Sequence, residues 1–566
     1  MNHMDIPPID TWDCLFERED RPFPDDHIIF KSPSGEVRTF DDIRSQALSF
    51  GANLQIQWEW QIGDILLLFA PNDIDVPTLF WGCHWVGGVV SPANPAYTAD
   101  ELKYQLSDTG AKAMVVHTSL LDAALTAAKR IDFPIAHMLV FGPPSSEAEL
   151  QHVESMLGGG APGARRPKID PVVDTAFLVY SSGTTGRPKG ARITHTNIVT
   201  NLILQGRVEG PHMNWRQDRF LSFLPTYHIY GISASNADIL ICRLTGLLKG
   251  LTCLVHFPLL LGIKTIVMEK FSVKGFLHNV KSESITHIYA VPPVVLYLAK
   301  DPAMTREQLS SLRMVTSAAA PLAPDLIHAV YDRLKVPVRQ AYGLTESTAV
   351  AHLQRWDRWD KAMGSSGPPY PTVETKFIDD QGNPVTKGDG ELCLRGPTIF
   401  PGYHNNAEAT ARSITSDGWF KTGDIGFQDE EGNLFITDRL KDLIKFKGFQ
   451  IPPAEIESAL HEHPLVHDAA VIGLAVEKIA TEVPIAYVVL EKTDKPAEQV
   501  AEELVAYVSG KVAPHKRIRG GIVPIDEIPK GPAGKILKRV LKTRAEGVDQ
   551  GKAIGASIYD DRSSKL

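Results

Sequence analysis

The sequence is poor in cysteine. Only five of its 566 residues are cysteines, and no two of them form a C-x-x-C pair: Cys14, Cys83, Cys242, Cys253 and Cys393. The odd number and the wide spacing indicate a reducing compartment and exclude a zinc ribbon. A chain of this length buries a sizeable core, so neither disulfides nor a structural metal is needed for stability.

Long hydrophobic runs and an excess of positive charge are also missing. The longest uncharged stretch of the most apolar region, Leu251 to Ile263, has 13 residues, whereas a helix that spans a bilayer needs about 20. Met1 to Asp20 has no basic segment followed by an apolar one, so we expect no secretory signal and a soluble protein. The net charge of −9 argues against a nucleic-acid-binding protein and against a polybasic membrane-surface protein.

Short apolar runs alternate with helical patterns through about the first 430 residues, which predicts an α/β protein. Strands are predicted at Asp64 to Phe69 and Ala113 to Val116, and a short helix at Asp100 to Leu106. The clearest helix is predicted at Pro324 to Leu334, where apolar residues repeat with a period of 3.6. They are Leu326, Ile327, Val330, Tyr331 and Leu334.

A dense charge run, Asp438 to Asp442, marks the main predicted boundary between domains. Beyond it, strands are predicted at Ala469 to Ile472 and Ile485 to Leu490, and a helix at Ala497 to Val508. We therefore predict an N-terminal domain of residues 1–438, a C-terminal domain of residues 439–545 and a polar tail of residues 546–566.

A strand predicted at Ala176 to Tyr180 leads directly into a loop that is rich in glycine and hydroxyl side chains. The loop reads Ser181, Ser182, Gly183, Thr184, Thr185, Gly186, Arg187, Pro188, Lys189 and Gly190. Glycine lets backbone N–H groups approach a phosphate, hydroxyls donate further hydrogen bonds, and lysine adds a positive charge. The spacing is neither that of a Walker A loop nor that of a dinucleotide fingerprint. The loop alone leaves a phosphate cradle and a flexible surface turn equally open.

Six further segments follow in a characteristic order. They are Pro225 to Gly231, Thr316 to Pro321, Gln340 to Glu346, Gly418 to Asp424, Asp438 to Gly448 and Pro529 to Lys535. With the loop they resemble the signature blocks of the adenylate-forming superfamily, over residues from about 35 to 545. Within that superfamily the sequence looks most like 4-coumarate–CoA ligases and fungal peroxisomal acyl-CoA ligases.

The resemblance implies a fold and a reaction. The fold has a large N-terminal body of packed α/β subdomains, with a small β-barrel-like subdomain, and a small mobile α+β C-terminal domain. In the reaction a carboxylic acid attacks the α-phosphate of ATP and releases pyrophosphate, and the acyl group then passes from acyl-AMP to the thiol of coenzyme A. ATP, Mg²⁺ and coenzyme A are the implied cofactors.

The resemblance also implies the roles of single residues. Lys535 would bridge the carboxylate and the α-phosphate, Thr345 would bond that phosphate, and Glu346 would hold Mg²⁺, a hard cation suited to oxygen ligands. Asp424 would accept the ribose hydroxyls with help from Arg439. The implied nucleotide-binding residues further include Ser181, Ser182, Gly183, Thr184, Thr185, Gly186, Lys189, Ala319, Ala320, Tyr342 and Gly343.

The second half-reaction needs another arrangement. A hinge between Arg439 and Lys441 would rotate the small domain, so that Lys445 to Gly448 replaces Lys535. Lys445 and Lys447 would then meet the phosphates of coenzyme A, and Gly448 would allow a close backbone approach. His228 is assigned to the acid pocket and the acyl-transfer region, without a general-base role.

Each of these side chains also has an ordinary structural interpretation, which the residues alone leave open. Lys535 suits a solvated tail, Glu346 a helix N-terminus, Asp424 a turn, and Tyr342 and His228 a hydrophobic core. Judged by the resemblance, residues from Ile232 to about Gly250 form an extra segment, either a genuine insertion or a translated intron. One alternative function is an adenylating enzyme that loads a carrier protein or otherwise uses acyl-AMP without coenzyme A. The other is a catalytically silent nucleotide-binding protein, disabled by the extra segment.

The last three residues, Ser564, Lys565 and Leu566, form the tripeptide that the peroxisomal import receptor reads. We therefore expect a peroxisomal protein. The organic substrate is expected to be a small carboxylic acid, aromatic or medium-chain, because the segments predicted to line its pocket contain tyrosines and small residues.

Overall fold

The chain folds into two compact units. The computed structural model describes residues 6–143, 150–158, 163–181, 188–224, 252–319, 322–439, 443–446, 449–476, 481–512, 514–529, 536–547, 549 and 552–555. The first unit comprises Met1–Thr375, Leu394–Lys421 and Gln428–Leu434. The second comprises Lys376–Cys393, Thr422–Phe427 and Phe435–Leu566. The domain boundary after residue 438 stays a prediction.

The strands of the first unit form two large sheets. In chain order they are β1 (Ile28–Lys31), β2 (Val37–Thr39), β3 (Ile65–Phe69), β4 (Val89–Ala93), β5 (Ala113–His117), β6 (Met138–Phe141), β7 (Gln151–His152), β8 (Thr175–Ser181), β9 (Lys189–Thr194), β10 (Arg219–Ser222), β11 (Lys264–Val267), β12 (His287–Ala290), β13 (Met314–Ser317), β14 (Val338–Tyr342) and β15 (His352–Leu353).

Helices connect these strands. Those described in the first unit are α1 (Thr11–Phe16), α2 (Phe40–Trp58), α3 (Val76–Trp85), α4 (Ala99–Thr109), α5 (Leu121–Lys129), α6 (Glu154–Leu157), α7 (His195–Glu209), α8 (Phe257–Leu261), α9 (Val273–Glu283), α10 (Pro292–Lys300), α11 (Pro324–Leu334) and α12 (Ala407–Ser413). Side-chain caps fix several starts: Thr98 and Glu101 form a capping box at α4, and Thr194 and Asn197 form one at α7.

One sheet has the order β7-β6-β5-β3-β4-β8-β9, and the other the order β15-β14-β13-β12-β10-β11-β1-β2. Neighbouring strands are parallel through the interior of both sheets, whereas the hairpins β8–β9, β14–β15 and β1–β2 are antiparallel. Parallel strands joined by helices are the α/β arrangement that the alternating pattern predicts, and that prediction is confirmed.

The second unit is smaller. Its strands are β16 (Glu374–Ile378), β17 (Gly390–Arg395), β18 (Phe420–Gln428), β19 (Leu434–Arg439), β20 (Ile444–Phe446), β21 (Phe449–Ile451), β22 (Val466–Val476), β23 (Thr481–Leu490) and β24 (Ile522–Pro524), and its described helices are α13 (Pro453–His461), α14 (Ala497–Lys511) and α15 (Lys538–Glu546). β16 to β19 form a four-stranded sheet, β20 and β21 a two-stranded one, and β22 to β24 a three-stranded one.

The sheet of β22 to β24 is buried on both faces. Ala469 and Val471 belong to a core that includes residues of α13 and α14, and the alternate residues Ala470 and Ile472 belong to one that includes residues of α15. This period of two is what a strand covered on both sides requires. The small C-terminal α+β part is thereby confirmed, and its mobility stays a prediction. Within the described ranges, no helix is both long and apolar enough to cross a membrane.

Candidate active site

Loops that leave adjacent parallel strands meet at one edge of the eight-stranded sheet. β12, β13 and β14 are parallel neighbours, with Ala290 paired to Ser317 and Ser317 paired to Gln340. Their carboxyl ends therefore open at the same edge, which is where open α/β sheets bind ligands. The segments predicted to contact adenine and the α-phosphate follow β13 and β14 and lie at this edge.

The backbone at this edge is strained. Ala319, after β13, has φ 84°, and Thr348 and Ala349, after β14, have φ 52° and 80°. Residues other than glycine rarely adopt such backbone angles, because each one costs about 1–3 kcal/mol. Strain of this kind persists where surrounding structure holds it, and it clusters at functional sites.

Gly343 is needed for a close backbone approach. A Cβ atom at this position would lie 1.5 Å from the carbonyl oxygen of Ala349, so no other residue fits the turn without moving the chain. The backbone N–H of Ala351 donates to the carbonyl of Tyr342 at 2.9 Å and closes the loop around it. The loop therefore holds the intervening residues, Thr345 and Glu346, in one place.

Thr345 and Glu346 occupy a single 3₁₀ turn, Thr345–Ser347. Thr345 is 1% exposed, and its hydroxyl has no hydrogen-bond partner among the described residues. A buried polar group without a partner is costly, so this hydroxyl is well suited to a ligand atom. The Glu346 carboxylate accepts a hydrogen bond from the Tyr403 hydroxyl at 2.9 Å.

The hairpin β8–β9 carries the predicted phosphate loop. Ser181 pairs with Lys189 across it, so the loop closes between two paired strands. Helix α4 supports both strand ends: the Tyr104 hydroxyl donates to the carbonyl of Pro188 at 2.9 Å, and the Tyr180 hydroxyl donates to Asp108. Burial, and then the hydrogen bond to Asp108 and its charge, raise the pKa of Tyr180, so this donor keeps its proton.

Lys189 contacts the ring of Tyr403, whose hydroxyl donates to Glu346. The Lys189 Nζ lies 5.4 Å from the centroid of the Tyr403 ring, a distance typical of a cation–π contact. Burial, followed by the Glu346 charge, raises the pKa of the Tyr403 phenol. Lys189 and the Glu346 carboxylate, from elements far apart in the sequence, therefore both contact a protonated tyrosine.

Tyr403 is a site residue that the sequence did not reveal. It lies 57 positions after Glu346, in a segment with no element predicted from its pattern. The one local feature of the sequence that could have marked this segment is the preceding glycine, Gly402. Its φ of 143° is an angle that glycine adopts readily.

Two other predicted nucleotide-binding residues are described. Tyr342 is half-buried, and its ring lies 6.0 Å from that of His352, nearly perpendicular to it. Asp424 belongs to the second unit, in β18, and is 2% exposed. Its backbone N–H donates to the Thr422 hydroxyl at 3.1 Å, and the hydroxyl donates to the carbonyl of Leu392 at 2.8 Å. Asp424 therefore lies within a strand and not in a turn, and its role toward ribose stays a prediction.

Ser182, Gly183, Thr184, Thr185, Gly186, His228, Ala320, Lys441, Lys447, Gly448 and Lys535, with the extra segment and the C-terminal tripeptide, lie outside the described residues. For Ser181, Arg439 and Lys445 only the strand positions are described. Their predicted roles stay predictions.

The donor set near Thr345 fits Mg²⁺. One carboxylate and one hydroxyl are hard oxygen donors, and Mg²⁺ is usually held by one or two carboxylates together with substrate phosphates. No group of three or more His, Cys, Asp or Glu side chains in the described ranges could hold a metal ion. Glu346 would hold the cation, which would supply charge neutralisation at the phosphates.

The sequence places the chain in a known family. Residues 16–404 match the AMP-binding enzyme family, and residues 455–535 match the AMP-binding enzyme C-terminal domain. Since the first match covers more than half of the chain, this protein belongs to the AMP-binding enzymes. The expected membership of the adenylate-forming superfamily is thereby confirmed.

Individual relatives are similar over most of their length. A 4-coumarate–CoA ligase of Humulus lupulus is 34% identical over 529 residues, which cover 92% of this chain and 91% of the relative. ATP-bound MatB from Rhodopseudomonas palustris has a TM-score of 0.81 at 26% identity, with 95% of this chain and 99% of that chain covered. The anthranilate CoA ligase AuaEII, in complex with anthranoyl-AMP, has a TM-score of 0.81 at 25% identity, with 96% and 98% covered.

Proposed function

We propose that this protein is an ATP-dependent acid–thiol ligase. It joins a carboxylic acid to AMP, releases pyrophosphate, and passes the acyl group to the thiol of coenzyme A. The observation that carries this proposal is the buried Thr345 hydroxyl, without a partner among the described residues, beside Glu346 at the carboxyl edge of a parallel sheet. Membership of the AMP-binding enzymes and the names of the relatives support it.

The chemistry explains why positive charge must gather at this edge. A carboxylate is a poor acyl donor, and AMP turns one of its oxygens into a good leaving group. To react, the negatively charged carboxylate must approach the negatively charged triphosphate of ATP. Two unit charges 4 Å apart interact with an energy of about 4 kcal/mol at an effective dielectric near 20. Lys189 and, in this proposal, Lys535 supply the charge that offsets the repulsion, in a site organised before the substrates arrive.

The resemblance to the family assigns residues to the other parts of the substrates. Ala319, Tyr342 and Gly343 would contact the adenine, Asp424 and Arg439 the ribose, and Glu346 the Mg²⁺ that accompanies ATP. In the second half-reaction, Lys445, Lys447 and Gly448 would meet coenzyme A after rotation about Arg439 to Lys441, with His228 in the acyl-transfer region.

An aromatic acid is the favoured substrate, with a medium-chain acid as the other candidate. The relatives that support this choice are named for 4-coumarate and for anthranilate, both of which are aromatic acids. The segments predicted to line the acid pocket contain tyrosines and small residues, which would admit an aromatic or a medium-chain acid alike.

A panel of acids tests the function. Purified protein, ATP, Mg²⁺ and coenzyme A are incubated with single aromatic, aryl-propenoic and medium-chain acids, and acyl-CoA and AMP are measured by mass spectrometry. We expect both products with at least one aromatic or medium-chain acid, in equal amounts. Pyrophosphate and acyl-AMP formed without acyl-CoA would favour a carrier-loading enzyme, and no product with any acid would favour a silent nucleotide-binding protein.

We also propose that the protein acts in peroxisomes. The C-terminal Ser564, Lys565 and Leu566 support this location, because the import receptor reads that tripeptide as an address. A fluorescent protein fused in front of the chain should co-localise with a peroxisomal marker, and deletion of the three residues should disperse it. Co-localisation that survives the deletion would contradict this proposal.

A further inference from the structure

The backbone fixes the position of Tyr403. Its segment runs beside β9, where the N–H of Arg192 donates to the carbonyl of Gly402 at 3.0 Å and the N–H of His404 donates to the carbonyl of Gly190 at 2.7 Å. These main-chain bonds flank Tyr403 on both sides and do not depend on its side chain. The pairing of this segment with β9 therefore does not require the phenol group of Tyr403.

Each end of the Tyr403 side chain has a different partner. The hydroxyl donates to Oε1 of Glu346 at 2.9 Å, while Lys189 Nζ lies over the ring at 5.4 Å from its centroid. The ring thus connects the strand after the phosphate loop to the residue that would meet the cation.

Glu346 is held from a second direction by the same segment. The N–H of Phe400 donates to the carbonyl of Glu346 at 2.8 Å, and the Phe400 ring packs edge-on against the Tyr403 ring at 4.9 Å. The backbone bond holds the main chain of Glu346, and the Tyr403 hydroxyl bonds one oxygen of its carboxylate. Loss of the hydroxyl alone would leave the main-chain position and remove one contact that orients the carboxylate.

We propose that Tyr403 is a positioning residue, which turns the Glu346 carboxylate toward the Mg²⁺ of Mg·ATP and places Lys189 beside the same phosphates. The inference rests on the proposed function, because it requires that Glu346 meets Mg·ATP. It predicts that the Tyr403 hydroxyl acts on the magnesium-dependent part of ATP binding and not on ATP binding as a whole.

Calorimetry of Tyr403→Phe tests this proposal without turnover. ATP is titrated into the protein with Mg²⁺ and again with EDTA, and the ratio of the two affinities is the magnesium-dependent gain. We expect the gain to fall by about tenfold in the variant, since a hydrogen bond to a charged group is lost. The affinity without Mg²⁺ should change by less than about twofold, because the ring and its contact with Lys189 remain.

An unchanged gain would overturn the proposal, whether both affinities stay the same or both fall equally. An equal fall is the mark of a merely structural role. Phenylalanine retains the packing against Phe400, and the melting temperature of the variant checks its fold. Tyr487→Phe is the matched control, because it removes a hydroxyl that donates to the carbonyl of Leu541 at 3.3 Å in the second unit. The magnesium-dependent gain in ATP affinity of Tyr487→Phe should equal that of the unaltered protein.

A double variant asks whether Tyr403 acts through Glu346. Glu346→Gln should itself remove most of the magnesium-dependent gain, and adding Tyr403→Phe should then cost little more. Fully additive losses would contradict the proposal. Because these measurements need no acid, a protein that binds Mg·ATP but adenylates nothing would refute the proposed function while still testing the role of Tyr403.

Discussion

At the scale of the residue, the buried hydroxyl of Thr345 is expected to lower the stability of the fold and to contribute to function. A hydroxyl that is 1% exposed and lacks a described partner weakens the fold. Its neighbour Glu346, by contrast, is bonded through both its side chain and its carbonyl. A residue that costs stability where it stands is expected to contribute to function there.

Thr345→Val should separate these two properties. We expect its melting temperature to equal or exceed that of the unaltered protein, because a buried hydroxyl is removed and no described hydrogen bond is lost. Acid-dependent pyrophosphate exchange should slow by about 10- to 100-fold, the value of a hydrogen bond to a charged phosphate. Thr345→Ser should retain most of the rate. A valine variant that melts lower and exchanges normally would contradict the assignment.

Gly343→Ala should damage the fold itself. The added Cβ would lie 1.5 Å from the carbonyl oxygen of Ala349 and 3.0 Å from the Cα of Val350, so the loop has to move. We expect a loss of about 3 kcal/mol or more in unfolding free energy, measured by urea denaturation. Gly210→Ala is the control, because an added Cβ there meets nothing within 4 Å. An equal effect of the two substitutions would refute this reading of Gly343.

The sequence predicted Thr345 and Glu346 as a site because both lie in one short segment, Gln340 to Glu346, that resembles a signature block of the family. It did not predict Tyr403, since its approach to Glu346 depends on the pairing of its segment with β9. That pairing is a tertiary contact between distant parts of the chain, and no local pattern in the sequence encodes it.

At the scale of the element, the hairpin β8–β9 is supported by α4. Tyr104 of α4 donates to the carbonyl of Pro188 next to β9, Tyr180 of β8 donates to Asp108 of α4, and Asn405 donates to the carbonyl of Asp108 at 3.1 Å. Helix α4 thus holds both bounds of the phosphate loop.

Tyr104→Phe should loosen this support without removing it. We expect the KM for ATP to rise about two- to tenfold, in proportion to one neutral hydrogen bond, while the rate at saturating ATP is retained. Steady-state kinetics with ATP as the varied substrate measures both constants. Tyr487→Phe, which removes a hydroxyl bonded to a carbonyl elsewhere, should change neither constant. A fall in kcat at constant KM would argue against support of the loop.

Buried histidines between α3 and α7 make the first unit sensitive to acid. The N–H of Thr11 donates to Nδ1 of His195 at 3.3 Å, so this ring is neutral. Burial lowers the pKa of His195 to about 4. Burial, and then the neighbouring His195 and His256, lower that of His84 well below its usual value.

The lowered pKa values of these histidines determine how the stability of the first unit depends on pH. The pKa values lie below the unfolded value of about 6.5, so the stabilisation is complete above that pH and is lost as the pH falls toward 4. His195 alone accounts for up to about 3 kcal/mol. Unfolding free energies measured by urea between pH 7 and 4.5 should decline less steeply in His195→Asn, which retains an acceptor for Thr11. Equal slopes would exclude His195 as a source.

The helix α11 shows what a periodic pattern predicts well and what it does not. Its bounds, Pro324–Leu334, are those predicted, and Ile327, Val330 and Leu334 are buried. Tyr331, predicted on the same face, is 36% exposed and packs its ring against Trp359 at 4.6 Å. A period of 3.6 gives the direction of the buried face, while its width depends on the partner that covers it.

At the scale of the whole molecule, the two compact units interleave along the chain. Lys376–Cys393 and Thr422–Phe427 group with the C-terminal residues, although both precede the charge run at Asp438. Their strands belong to the four-stranded sheet of β16 to β19. Linear composition marks a change in character along the chain, but only strand pairing reveals which distant segments share a unit.

The proposed alternation of half-reactions belongs to this scale. Lys535→Ala should abolish acyl-AMP formation, because the charge between carboxylate and α-phosphate is lost. Thioester formation from supplied acyl-AMP and coenzyme A should remain largely intact. The two rates are measured separately, by pyrophosphate release and by acyl-CoA formation. An equal loss of both would contradict a division of labour between Lys535 and the segment Lys445 to Gly448.

The central claim is that an acid attacks the α-phosphate of ATP at the edge beside Thr345 and Glu346. Isotope exchange tests it most directly, in the presence of Mg²⁺ and the absence of coenzyme A. We predict that labelled pyrophosphate enters ATP only when a suitable acid is present, and that Thr345→Val slows this exchange. Exchange that is absent with every acid, or that proceeds equally without one, would contradict the account.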